Sequence, residues 1–140
     1  RIGHGVNLIE DVMLTRTEGD TDLVVLGPVA EWIHDRQIAL EIAPSSNLQT
    51  GAGELLGSGI ANHPFDALYD LGFQVTVNTD NRLQSSTTLT RELEMLVETF
   101  GYGLEDIHQF QIHAAEASFQ SLETREELLE MIDRGFSNFE

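Results

Sequence analysis

The chain has 140 residues, 41% of them hydrophobic. That is enough for one core, since a domain of this size buries roughly 68–70% of its unfolded surface. Its 24 acidic residues against 7 basic ones, all of them Arg, give a formal charge of −17 and exclude the basic patch that nucleic-acid or anionic-membrane binding requires. With no cysteine there is no disulfide, no thiolate nucleophile and no thiolate-bound metal, which excludes the zinc deaminases of the Cys-x-x-Cys type.

Short β-like runs alternate with longer helical stretches, the pattern of strand-helix units around a parallel sheet. The first strand is predicted at Arg1–Gly3 and runs into Gly3-His4-Gly5. An irregular acidic stretch, Glu18 to Asp22, follows, and a helix then opens at Gly27-Pro28, where proline suits the first turn. Trp32 and Ile33 are expected to face the sheet. The second strand, Ile38–Ala43, ends in the polar turn Pro44-Ser45-Ser46-Asn47. Gly51 to Gly59 is flexible by composition, and His63-Pro64 starts a short helix that Gly72 terminates. The third strand, Phe73–Val77, is β-branched and runs directly into Asn78-Thr79-Asp80-Asn81.

From Thr87 onward the period is helical. Leu89, Leu93, Leu96, Val97 and Phe100 recur at three- and four-residue steps and stop at Gly101. A second helix, Leu104 to Phe119, carries Leu104, Ile107, Gln111, Ala114 and Ala115 on one side. A third has a capping box in Thr124-Arg125-Glu126-Glu127, a Leu128/Ile132 stripe, and Gly135 as its stop. Tandem helices after a final strand are expected of a barrel's closing segment. No apolar run of about 18 residues and no signal peptide is present, so the default setting is cytoplasmic. A chain that opens at Arg1 and enters a strand at once reads as a fragment.

Asp80 stands at a strand's carboxyl end, where α/β barrels keep their chemistry. It either caps the next turn through its side-chain oxygen or projects a carboxylate ligand toward a cation. His4 is either a hydrogen-bonded structural residue or, because Gly3 and Gly5 let a ligand approach closely, an imidazole facing open space and able to accept a proton near neutral pH. Glu41, inside a strand, must point at a partner or a cavity. Ser45, Ser46 and Asn47 line a site or form a turn. His34, His63, His108 and His113, on helices or helix starts, read as structural or surface residues. A catalytic zinc wants at least three protein ligands, so the rest would have to come from elsewhere.

Taken together, Arg1-Ile2-Gly3-His4-Gly5-Val6, the block from Leu40 through Ser46-Asn47 to Gly51, His63-Pro64 and Val77-Asn78-Thr79-Asp80-Asn81 resemble the carboxyl-terminal part of the adenosine deaminase family. The resemblance spans nearly the full chain and extends through Ala114-Ala115 and Ser118-Phe119. It implies an α/β chain forming the closing part of a (β/α)8 TIM barrel: residues 1–140 as strands six to eight with the closing helices. It also implies a zinc-dependent hydrolase, with one Zn2+ per complete active site, that deaminates adenosine to inosine and ammonia. His4 matches the histidine that positions and deprotonates the zinc-bound water, and Asp80 the aspartate that ligates the metal. Asn81 stands where the best-known members carry a second aspartate that hydrogen-bonds a purine ring nitrogen; an amide can still donate to that nitrogen through its NH2 group. His113 stands where an asparagine is common, without catalytic meaning. The family's His-x-His pair and His-Ala-Gly-Glu block have no counterpart here, so the isolated chain is expected to be inactive. The expected partner is a small purine nucleoside, with no nucleic acid and no membrane, and self-association is expected through the unpaired edges of an incomplete sheet. The alternatives are a deaminase of another 6-aminopurine, adenine or an N6-modified nucleoside, and an inert self-associating fragment.

Overall fold

A computed structural model describes residues 1–16 and 22–139. In chain order the elements are β1 (Ile2–Gly3), β2 (Val12–Arg16), β3 (Asp22–Leu26), α1 (Pro28–Asp35), β4 (Leu40–Ile42), α2 (Pro44–Thr50) and α3 (Phe65–Asp70). They continue with β5 (Val75–Val77), α4 (Arg82–Ser85), α5 (Leu89–Phe100), α6 (Leu104–Glu116) and α7 (Leu122–Phe136). Short 3-10 helices at Val6–Asp11 and Ile60–Asn62 complete the connections.

The strands β1, β4 and β5 form a parallel sheet in that order, with Leu40 paired to both Ile2 and Val75, and Ile42 paired to Val77. Side chains alternate across a strand, so this register puts Leu40, Ile42, Val75 and Val77 on one face and Gly3, Glu41 and Thr76 on the other. The first set is buried with Ile33, Phe65, Leu68, Phe73, Leu96 and Phe110, which come from the loops and helices that cover the sheet. Around Phe110 the rings of Phe65, Tyr69 and Tyr102 pack edge-on at centroid distances of 5.2, 4.8 and 5.3 Å. The other face carries the polar residues, and there Glu41 meets the guanidinium of Arg1 at 3.1 Å. A parallel sheet with helices on its apolar face, and polar groups on the other face and at the strand ends, is a segment of a (β/α)8 barrel.

Several sequence expectations change. The strands are shorter than predicted, and β2 and β3 pair as an antiparallel hairpin that was not anticipated. The irregular acidic stretch predicted at Glu18 to Asp22 lies outside the described residues, apart from Asp22, which opens β3. Trp32 does not face the sheet: Ala30 and Ile33 take the buried side of α1, the adjacent position is turned by about 100°, and Trp32 is 51% exposed under the guanidinium of Arg36. On α6 the buried residues are Phe110 and Ala115, while Leu104 and Ala114 are exposed, because the aromatic cluster draws Phe110 inward. Helix α7 is capped by Ser121, whose Oγ accepts from the Thr124 amide at 3.2 Å, so Thr124 lies inside the first turn and opens no capping box. Gly135 does not stop α7, which runs on to Phe136 as that ring packs on His108.

Candidate active site

The two residues singled out at strand ends share a backbone peculiarity. His4 and Asp80 both hold left-handed conformations, with φ of 62° and 50°. For non-glycine residues this costs on the order of 1–3 kcal/mol each, and such strain concentrates at functional sites. At the first junction the ladder continues through the His4 amide, which donates to Glu41 O at 2.9 Å, and the chain then turns at Gly5, φ 68°. A Cβ on Gly5 would also stand 2.8 Å from Leu40 Cδ2, so the turn that aims His4 tolerates glycine alone.

His4 and Asp80 line the same cleft of about 320 Å3 with Gly3, Glu41, Ala43, Asn78 and Thr79. A second hollow beyond them is lined by His4 and Asp80 together with Asn7, Ser46, Asn47 and Thr50. Asp80 does not cap the next helix. That role falls to Asn81, whose Oδ1 accepts from the Gln84 amide at 3.2 Å. The Asp80 carboxylate instead accepts at Oδ2 from Ser46 Oγ at 2.6 Å. Its strand is held by Asn78, whose amide nitrogen donates to Thr76 Oγ1 at 2.8 Å.

Helix α2 organises this floor. Glu92 of α5, fully buried, accepts from the Ser45 amide at 2.9 Å and from Thr87 Oγ1 at 2.6 Å, which pins the start of α2 from below. Ser46 then reaches Asp80, and Asn47 reaches His4 Nδ1 at 3.0 Å with its amide nitrogen. The other end of the Asn47 amide meets His63 Nε2 at 3.4 Å, and His63 Nδ1 accepts from the Phe65 amide at 3.1 Å. Burial pushes the His63 imidazole down to about 4, against a smaller opposing pull from Glu92.

The structure therefore brings His4, Asp80, Ser46 and Asn47 together and leaves Glu41 lining the same cleft, while Ser45 contributes its backbone. Asn81 sits next to the cleft without lining it. His113 and His34 are structural as expected: the first binds Val75 O at 3.0 Å and the second packs edge-on against Phe73. His108 binds Asp133 at 2.9 Å. His63 is structural too, buried and one amide away from His4. Glu92 was also missed, although its spacing of four from both Thr88 and Leu96 places it on the buried side of α5.

Among the described residues no group of three or more His, Cys, Asp or Glu stands close enough to hold a metal ion. The residues fit one in kind but not in number. Asp80 offers a strand-end carboxylate with Oδ2 fixed by Ser46, and a catalytic zinc requires at least two further protein ligands.

Strand-end polar groups on a parallel sheet, opening on one cleft, define the chain as part of a (β/α)8 barrel. Solved barrels agree: an adenine deaminase from Arthrobacter aurescens superposes with a TM-score of 0.78 at 21% identity, covering 98% of this chain and 36% of that one. An amidohydrolase from Burkhoderia ambifaria with bound Zn superposes at 0.72 and 16% identity, covering 98% and 33%. The family model for adenosine deaminase matches residues 1–135, and the chain belongs to the adenosine deaminase family. The adenosine deaminase of Mycobacteroides abscessus is 46% identical over 125 residues, covering 89% of this chain and 32% of that protein. The chain thus spans about a third of the length of the curated relatives it matches.

Proposed function

We propose that residues 1–140 supply strands six to eight and the closing helices of a complete adenosine deaminase, which hydrolyses adenosine to inosine and ammonia. The observation that carries this reading is the convergence of His4 and Asp80, each on a strained strand end, on one cleft. Asp80 is the ligand this chain gives to a zinc ion. Zinc, when bound, supplies a Lewis acid that brings the pKa of a water toward ~7. Ser46 fixes the direction of the Asp80 carboxylate, as the partners of metal ligands do. His4 meets the attacking water through Nε2, since Nδ1 is engaged by Asn47. The water adds to the purine carbon that bears the amino group, and ammonia leaves.

Asn81 is the residue of this chain that faces the purine ring, donating from Nδ2 while Oδ1 caps α4. Where the best-known members have a carboxylic acid, an amide still donates but does not share a proton. This favours a second reading, in which the preferred substrate is adenine or an N6-modified nucleoside. The setting we assign is cytoplasmic, and the formal charge of −17 supports a partner list without nucleic acid or anionic membrane; among the described residues no helix is long and apolar enough to cross a membrane. The isolated chain is inactive for want of ligands. The test is the complete zinc-loaded protein: adenosine absorbance should shift to that of inosine, and its absence overturns the assignment. Specificity constants for adenosine and adenine separate the two readings.

A further inference from the structure

Four residues from three segments form one line of hydrogen bonds that ends at the cleft: the Phe65 amide, His63, Asn47 and His4. The direction of every bond in it follows from its first member. A backbone N–H only donates, so His63 Nδ1, 3.1 Å away, must present its lone pair. Buried and held neutral, His63 therefore carries its hydrogen on Nε2. That hydrogen points at the Asn47 side chain, 3.4 Å away, which must answer with its carbonyl oxygen. Asn47 is then committed to directing its NH2 group at His4 Nδ1, 3.0 Å away. Turning the amide over would set NH2 against His63 Nε2–H at one end and oxygen against the Nδ1 lone pair at the other. Tight walls keep the arrangement in place: a Cβ on Gly53 would stand 2.6 Å from His63 Cδ2 and 3.2 Å from Asn47 Cβ, and the Gly53 amide donates to Asn47 O at 3.1 Å.

We propose that Asn47 and His63 are positioning residues that fix His4 as its Nε2–H tautomer, so that the imidazole enters the cleft as a hydrogen-bond donor. This deepens the deaminase reading and rests on it for the role of His4. It also changes that role, because a ring nitrogen that already carries hydrogen offers no lone pair to a water proton. His4 then orients the nucleophile by donating to its oxygen, and the proton-accepting role implied by the family resemblance does not belong to the resting tautomer.

The tautomer is read directly from two-bond proton–nitrogen NMR correlations on the complete protein with 15N-labelled imidazoles. His63 and His4 should each show a protonated Nε2 and a bare Nδ1. In N47D the carboxylate accepts where the amide donated, and the hydrogen of His4 should move to Nδ1, with His63 unchanged. A wild-type His4 protonated on Nδ1, an even mixture of tautomers, or an N47D spectrum identical to wild type at His4 overturns the proposal. Should N47D not fold, the wild-type spectrum alone decides. These readouts are independent of turnover: a protein with the expected spectrum that leaves adenosine and adenine intact refutes the deaminase reading and leaves the relay standing.

Discussion

Ser46 and Asn47 are adjacent in sequence, yet one steers the Asp80 carboxylate and the other the His4 ring. Removing a partner that orients a metal ligand typically costs 10–100-fold in metal affinity. S46A in the complete protein is therefore expected to weaken zinc binding by about 10–100-fold, and a competitive chelator titration that finds wild-type affinity counts against Asp80 as a ligand. His63 makes a separate prediction about pH. Its folded pKa of about 4 lies below the ordinary value of 6.5, so protons bind the unfolded chain more tightly. The stability that neutral His63 contributes is whole above pH ~6.5, falls as the pH drops from there, and is fully lost below about 4, an effect on the order of 3 kcal/mol. Unfolding free energy followed from pH 7.5 to 4 should decline more steeply in wild type than in H63Q, and parallel curves would refute it. His4 and Asp80 were legible in the sequence because a polar residue directly after a β-branched or glycine-flanked strand end has few other places to point. The role of His63 was not, because it depends on a fold that brings His63 back onto Asn47, 16 positions earlier in the chain.

At the scale of elements, the α5 helix does more than cover the sheet. Its buried Glu92 holds the Ser45 amide and the Thr87 hydroxyl, which links the closing helices to helix α2, the carrier of Ser46 and Asn47. E92A leaves the Ser45 amide without its acceptor and Thr87 Oγ1 with only the longer contact to Thr88 O at 3.4 Å, and should lower stability by roughly 1.5–3 kcal/mol; a denaturant midpoint within error of wild type would sink the idea. The strands β1, β4 and β5 and the helices α1, α3, α5 and α6 were readable from hydrophobic period and from their Gly or Pro punctuation. The β2–β3 hairpin was not, because it lacks period-2 alternation: Met13, Val24 and Val25 are apolar yet exposed. The end of α7 escaped for another reason. Phe136 packing on His108, with Asp133 bound to the same ring, carries the helix through Gly135, so tertiary contact overrides a local stop signal.

The order of the three parallel strands follows the chain, so the partial barrel could be anticipated once each strand was placed, whereas what completes it could not. Both outer strands of the sheet, β1 and β5, have one neighbour each among the described residues. Unpaired edges of this kind template pairing with another chain. Against this stands a formal charge of −17, which keeps copies apart through mutual repulsion. The Debye length shrinks from ≈10 Å at 0.1 M salt to 3 Å at 1 M, so salt weakens the repulsion but leaves hydrogen bonding between strand edges largely intact. The isolated chain is accordingly expected to associate more strongly as salt rises, and sedimentation velocity at 0.05 M and ~0.5 M NaCl should show the weight-average coefficient increasing. A compact monomer at both concentrations would mean that the edges are already protected, and association through an incomplete sheet would have to be abandoned.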